Sequence, residues 1–179
     1  MEVPDPRLPA ATFEELALPL FDQLYNFAHW LAQNRSEAED LVQETYTKAL
    51  RGFSGFQVGT NFRAWMFRIL RNTFLTSRSG LKSTAFDEEE VESMATSHPT
   101  PEAILIQQAD RETMRQALAE LAAPFREILV LCEVEEMSYE EIAQVLAIPM
   151  GTVMSRLYRA RKALRLRLLD KFKGGPDGV

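Results

Sequence analysis

The side chains with the most chemical capacity in this sequence are arginines and lysines interleaved with short polar residues, a combination suited to holding phosphates and base edges. Between Thr60 and Lys82 stand five bases (Arg63, Arg68, Arg71, Arg78, Lys82) and no acid. Arginine meets a phosphate or a guanine edge with a rigid fork of donors. Asn72, inside the same stretch, carries both a donor and an acceptor on one amide. A second island, Ser138–Lys173, holds eight bases against three acids. The rest of the chain is acidic. Thr84–Glu102 has six acids and no base, and Met1–Gly59 nine acids against four bases. The net charge of −6 therefore averages over opposite local fields. Screening erases most influence beyond about 8 Å at physiological salt, so a bound phosphate responds to the island and not to the sum.

Covalent chemistry has little to work with. The sequence holds no Gly-Lys-Ser/Thr phosphate loop, no Gly-x-Ser-x-Gly elbow and no His/Cys cluster. The expectation is a protein that is not an enzyme and takes no cofactor or metal. His29 and His98 have no metal-ligand companions; His29 reads as structural and His98 as solvated. Cys132, in the apolar run Ile128–Cys132, reads as a small buried hydrophobe. No window approaches 18 apolar residues, and Met1–Pro9 lacks the basic start and apolar centre of a secretory leader. Both features predict a cytoplasmic protein.

The elements that position these residues read as helices throughout. Thr12-Phe-Glu-Glu15 has the form of a capping box. It precedes a 3.6-residue apolar period through Phe13, Leu16, Ala17, Leu20, Leu24, Phe27, Ala28 and Leu31, which Pro19 should kink or split. Ser36-Glu-Ala-Glu39 predicts a second box and a helix with Ala38, Leu41, Val42, Thr45, Ala49 and Leu50 on one side. Gly52, Gly55 and Gly59 mark a loop over Phe53–Thr60. A third helix is expected from Asn61 to about Arg78, with Phe62, Trp65, Met66, Ile69, Leu70 and Thr73 inward. Ser79–Pro101, with Glu88-Glu89-Glu90 and His98-Pro-Thr-Pro101, reads as a flexible acidic linker. Helices are then expected over Glu102–Leu121 and Phe125–Glu133, with two more after Ser138. The predicted fold is all-α: two small helical domains, 12–80 and 102–172, joined by the linker 81–101 and flanked by tails at 1–11 and 173–179.

The most specific pattern is Ser138-Tyr-Glu-Glu-Ile-Ala-Gln-Val-Leu146, then Ala-Ile-Pro, then Met150-Gly-Thr-Val-Met-Ser-Arg-Leu-Tyr-Arg-Ala-Arg161. Ser138 and Glu141 make a third capping box. Ile142, Leu146, Ile148, Val153 and Leu157 form an apolar wedge, and Ala143 is small where helices must cross closely. Pro149 suits the start of the next helix. This is a helix-turn-helix pattern, whose second helix offers its N-terminal residues to the major groove. Val153, Leu157, Ala160 and Leu164 fall on its inner stripe. With Leu118-Ala-Glu-Leu, Phe125-Arg-Glu-Ile-Leu and Arg159-Ala-Arg-Lys-Ala-Leu164, the stretch closely resembles region 4 of extracytoplasmic-function (ECF, group IV) RNA polymerase sigma factors of the sigma-E-like kind. That resemblance implies −35 promoter contacts from Met150, Thr152, Met154, Ser155, Arg156, Arg159 and Arg161. Met154 stands where members often carry a cation.

Upstream, Glu37-Ala-Glu-Asp-Leu-Val-Gln-Glu-Thr-Tyr46 is similar to the family's region 2.2. Asp40, Gln43 and Glu44 share one helix face by spacing, and the resemblance makes that face a dock for the β′ clamp helices of core RNA polymerase. Phe53–Asn72 resembles regions 2.3 and 2.4, which read and help open the −10 element. The implied −10 residues are Phe56, Gln57, Thr60, Arg63, Arg68, Arg71, Asn72 and Arg78; Trp65, at core spacing, reads as core. The implied partners are core RNA polymerase (β′ clamp helices and β flap), promoter DNA and an anti-sigma factor. The resemblance covers about Phe13–Leu168. Without its upstream half, the helix-turn-helix would equally suit a regulator acting without polymerase; a sigma-like decoy that binds an anti-sigma factor is a separate alternative, against which the intact basic islands count.

Overall fold

In the computed structural model, residues 11–79 and 109–174 are described, and no strand occurs among them. Eight α-helices position the candidate residues: α1 (Phe13–Ala17), α2 (Phe21–Ala32), α3 (Arg35–Gly52), α4 (Phe62–Arg78), α5 (Arg111–Ala119), α6 (Ala123–Leu129), α7 (Tyr139–Leu146) and α8 (Met150–Lys173). The Thr12 box forms as the sequence predicts, with the Glu15 amide donating to Thr12 Oγ1 and the Thr12 amide donating to a Glu15 carboxylate oxygen at 2.9 Å. Pro19 splits the first amphipathic segment, since Leu18–Leu20 form a 3₁₀ turn between α1 and α2. The predicted box at Ser36 does not form. Asn34 caps α3 by accepting the Glu37 amide at 3.0 Å, which leaves Ser36 inside the first turn.

In the N-terminal half α2, α3 and α4 pack on one another around Leu24, Phe27, Met66, Phe67 and Leu70, all fully buried. The predicted inner side of α3 holds for Ala38, Leu41, Val42, Thr45 and Ala49, but Leu50 is 56% exposed. On α4, Met66, Leu70 and Thr73 are buried as expected, while Phe62, Trp65 and Ile69 are half-buried. In the C-terminal half the predicted helix over Glu102–Leu121 is described only from Ala109 on, where α5 spans Arg111–Ala119. Asp110 caps α5 through the Thr113 amide, and residues 80–108, with the acidic linker, lie outside the described residues. The predicted helix over Phe125–Glu133 is instead α6 continuing into one π-helical stretch, Val130–Val134. Lys173, placed in a tail by the sequence, belongs to α8; 175–179 lie outside the described residues. His29 is exposed in the last turn of α2 and so is not structural. Cys132 is half-buried, and burial pushes its thiol up.

The two halves are not apart. α4 packs along α7 and α2 against α6, and their buried residues form one continuous cluster. The core is shared.

Candidate nucleic-acid interface

On the outer face of α3, Asp40, Gln43 and Glu44 are all exposed. Asp40 and Glu44 line a groove of about 310 Å³ with Leu41 of α3 and Thr73 and Phe74 of α4. Its acids differ in their local pairing. Glu37 accepts from Arg78 at 2.6 Å, and Glu44 from Lys48 at 3.0 Å one turn away. Asp40 makes no ion pair among the described residues, so its charge is open to an outside cation.

The loop after α3 begins with a 3₁₀ turn, Phe53–Gly55, and is held by rings. Phe56 stacks with Phe53 at 6.2 Å, meets Phe62 edge-on at 5.2 Å and approaches Trp65 at 5.0 Å. Trp65 therefore joins the core as predicted, at its edge, beneath the loop. The loop's tip is open. Gln57, Val58 and Thr60 are exposed, Thr60 Oγ1 donates to the Gln57 carbonyl at 2.7 Å, and Gly59 supplies the positive φ of 95° that the reversal requires.

The candidate side chains of α4 divide between two faces. Arg68 and Asn72, one turn apart, are exposed and their side chains have no partner among the described residues. Arg63 and Arg71 point the other way, into the C-terminal half. Arg63 donates to the Glu135 carbonyl at 2.6 Å and to Gln23 at 2.9 Å. Arg71 donates to the Glu127 carboxylate at 2.5 Å and to the Leu146 carbonyl at 3.4 Å. Burial pushes both carboxyls up: Glu127 despite Arg71, Arg156 and Arg126, and Glu135 despite Asn26 and Arg63.

The helix-turn-helix is built as its sequence predicts. Ser138 and Glu141 form the box, at 3.1 and 2.8 Å. Ala147 closes α7 in the left-handed region, and Pro149 caps α8. Val153, Leu157, Ala160 and Leu164 are buried. Of the candidates, Met154 is 47% exposed, while Met150, Thr152, Ser155 and Arg159 are half-exposed. Arg156 is buried beside Glu127, and Arg161 donates to Glu133 at 2.8 Å. Sequence reasoning missed Asn26, Asn61, Glu127 and Glu135, which join the halves. The one local signal was Glu127 itself, a carboxylate set into the apolar run around Phe125–Cys132.

Residues 19–83 match Sigma-70 region 2, and residues 111–164 match Sigma-70 region 4. The exposed acid and amide face of α3, the loop and α4 fall within the first match, the helix-turn-helix within the second. A two-region protein of the sigma-70 class is what fold and site define. Among its relatives, the ECF RNA polymerase sigma factor SigE of Mycolicibacterium smegmatis is 36% identical over 87% of this chain and 64% of the relative. This chain thus spans just under two thirds of that protein. The RNA polymerase sigma factor YlaC of Bacillus subtilis is 31% identical over 86% of this chain and 90% of the relative. A solved structure of the sigma factor RpoE in complex with the anti-sigma factor NepR, from Bartonella quintana, superposes with a TM-score of 0.66. It shares 30% identity and covers 92% of this chain and 98% of that one. The chain belongs to the ECF RNA polymerase sigma factors, which are transcription initiation factors. Among the described residues, no helix is long and apolar enough to cross a membrane.

Proposed function

We propose that this chain carries core RNA polymerase to promoters by dividing recognition between its two halves. The exposed acid and amide face of α3 (Asp40, Gln43 and Glu44) docks on the basic β′ clamp helices, with Asp40 the unpaired charge. The loop tip Gln57–Thr60 and the outer face of α4 capture the non-template strand of the −10 element. Extruding a base costs a few kcal/mol, recovered by a pocket reading its edge and by cations on the backbone. Arg68 and Asn72 supply a cation and an edge-reading amide. The start of α8 meets the −35 duplex through Met150, Thr152, Met154, Ser155 and Arg159, with the polymerase β flap as a second anchor. Tethering raises the effective concentration of one half once the other is engaged. An anti-sigma factor holds the chain inactive, as the complex of RpoE with NepR suggests for a similar arrangement. The protein works in the cytoplasm.

The observation that carries this reading is the pairing of Arg68 with Asn72 on an exposed, unpartnered face of α4 beside an exposed glycine-bearing turn. In vitro transcription with core polymerase on a library of promoter fragments tests it. Promoter-dependent transcripts sharing two spaced elements are expected. Failure of the chain to bind core polymerase would favour a regulator acting without polymerase, and binding undiminished by Asp40→Lys with Glu44→Lys would move the docking surface off α3.

A further inference from the structure

A helix that reads DNA through its first turns needs groups there that tell one base pair from another. The first six residues of α8, Met150–Ser155, carry no charge, although eight bases follow along the same helix. The first of those, Arg156, is buried beside Glu127. Arg159 is half-exposed, with its Nε buried and unpartnered. The outward stripe of these turns is Gly151, Met154 and Tyr158, spaced three and four residues apart. Met154 is 47% exposed and Tyr158 52%, so apolar surface stands where the base edges would pass. The hydroxyl beside it is already engaged. Ser155 Oγ donates to the Thr152 carbonyl at 3.2 Å, which spends its proton inside the helix and leaves only lone pairs to offer. Gly151 clears the approach, since a Cβ built there meets nothing within 4 Å and its absence brings the backbone closer to a ligand.

Guanine presents two acceptors in the major groove and is matched by a fork of donors; adenine is matched by an amide. The thymine C5-methyl is the one base-edge group that is matched by apolar contact. Met154 offers that contact and little else. Its unbranched thioether is pliable enough to settle against a methyl whose exact place the helix does not have to fix. Cytosine at the same place lacks the methyl and presents an amino donor, which a thioether accepts only weakly. We propose that Met154 reads a thymine methyl in the −35 element, so that one base pair of this chain's promoter is fixed as A·T by apolar contact. Tyr158, one turn on along the same face, keeps water from that contact. The inference rests on the reading of α8 as the −35 surface.

The test uses the full chain with core polymerase on a promoter recovered from the fragment library, read by competition for promoter binding. Each thymine of the −35 element, on either strand, is replaced singly by deoxyuridine, which removes one methyl and no hydrogen-bonding group. One position is expected to lose about fourfold in affinity, the worth of one buried methyl. At that position 5-methylcytosine, paired with guanine, is expected to bind tighter than cytosine. Met154→Ser should erase both differences, and Met154→Leu should keep them. Met154 is exposed, so neither variant disturbs the core, and the deoxyuridine arm needs no variant at all. A −35 element whose scrambling weakens binding, but whose thymines are all indifferent to deoxyuridine, overturns the apolar readout and leaves α8 as the −35 surface. A deoxyuridine loss of equal size in Met154→Ser overturns Met154 as the reader. Binding and transcription unchanged when the whole −35 element is scrambled overturn the reading of α8 itself, and the inference with it.

Discussion

If α4 reads the −10 strand as proposed, recognition turns on Asn72 and Arg68, because nothing among the described residues competes for their side chains. Replacing Asn72 with Ala removes an edge-reading amide worth about 1–3 kcal/mol of discrimination. Stability should change by less than about 0.5 kcal/mol, since the site is exposed and unbonded. Transcription from the cognate promoter is therefore expected to fall at least several-fold with an unchanged thermal midpoint. A parallel loss of both would make Asn72 structural. Ala147 is the converse case. It holds φ 54° and ψ 47° at the end of α7, a conformation that strains any residue with a Cβ, and it is exposed. Ala147→Gly is expected to stabilise the chain by up to about 1 kcal/mol in denaturant titration, without changing DNA binding. At this scale the sequence is legible where neighbours are local. The inner stripe Val153, Leu157, Ala160 and Leu164 follows from helical period alone. Arg63, Arg71 and Arg156 are not legible, because the carboxylates that claim them lie on other elements and no local pattern announces them.

Helix starts separate the two kinds of signal more sharply. Thr12 and Ser138 cap their helices as their spacing predicts, with glutamates returning the bond three residues on. Ser36-Glu-Ala-Glu39 has the same spacing and does not cap, because Asn34 lies two residues earlier in extended conformation and takes the Glu37 amide first. The expectation is a clean asymmetry. Asn34→Ala should cost about 1 kcal/mol of stability, and Ser36→Ala should be near neutral, since an alanine in the first turn loses no cap. Equal losses from the two would restore Ser36 as the cap. The π-helical stretch Val130–Val134 illustrates a limit of periodicity. An apolar run such as Ile128–Leu131 is buried at every position, so it carries no phase from which a change of helical pitch can be read. Helix existence was legible among the described residues, whereas the change of pitch after Leu129 depends on what packs around it.

For the molecule as a whole, the joint between the halves sets apolar burial against the burial of charge. Apolar burial along α4 and α7 favours closure, while taking Glu127 and Glu135 out of water opposes it more than their cations repay. Glu127 faces Arg71 of α4, Arg126 of α6 and Arg156 of α8; Glu135 faces Arg63 of α4 and the Asn26 amide of α2. For both carboxyls burial is the larger effect, so each holds its proton to higher pH in the closed chain than in the open one. A raised folded value means the closed state binds more protons. Its contribution is complete below the ordinary carboxylate value of about 4.5 and is lost as pH rises through the raised values. Closure should therefore strengthen on mild acidification from pH 8 and weaken toward alkaline pH, where the halves are freest to separate. With spin labels on cysteines replacing the exposed Thr47 of α3 and Lys162 of α8 in a Cys132→Ser background, the distance distribution is expected to narrow as pH falls from 8 towards 5.5, and Glu127→Gln with Glu135→Gln should flatten that dependence by removing both titrations. If the distances instead lengthen on acidification, the ion pairs with Arg71 and Arg63 outweigh desolvation, and the halves are held by charge rather than by packing. The physical consequence of the expected sign is a joint whose carboxylates are costly to keep charged and buried. A partner with stronger claims on α3 or α8 then needs only a modest difference in affinity to open it.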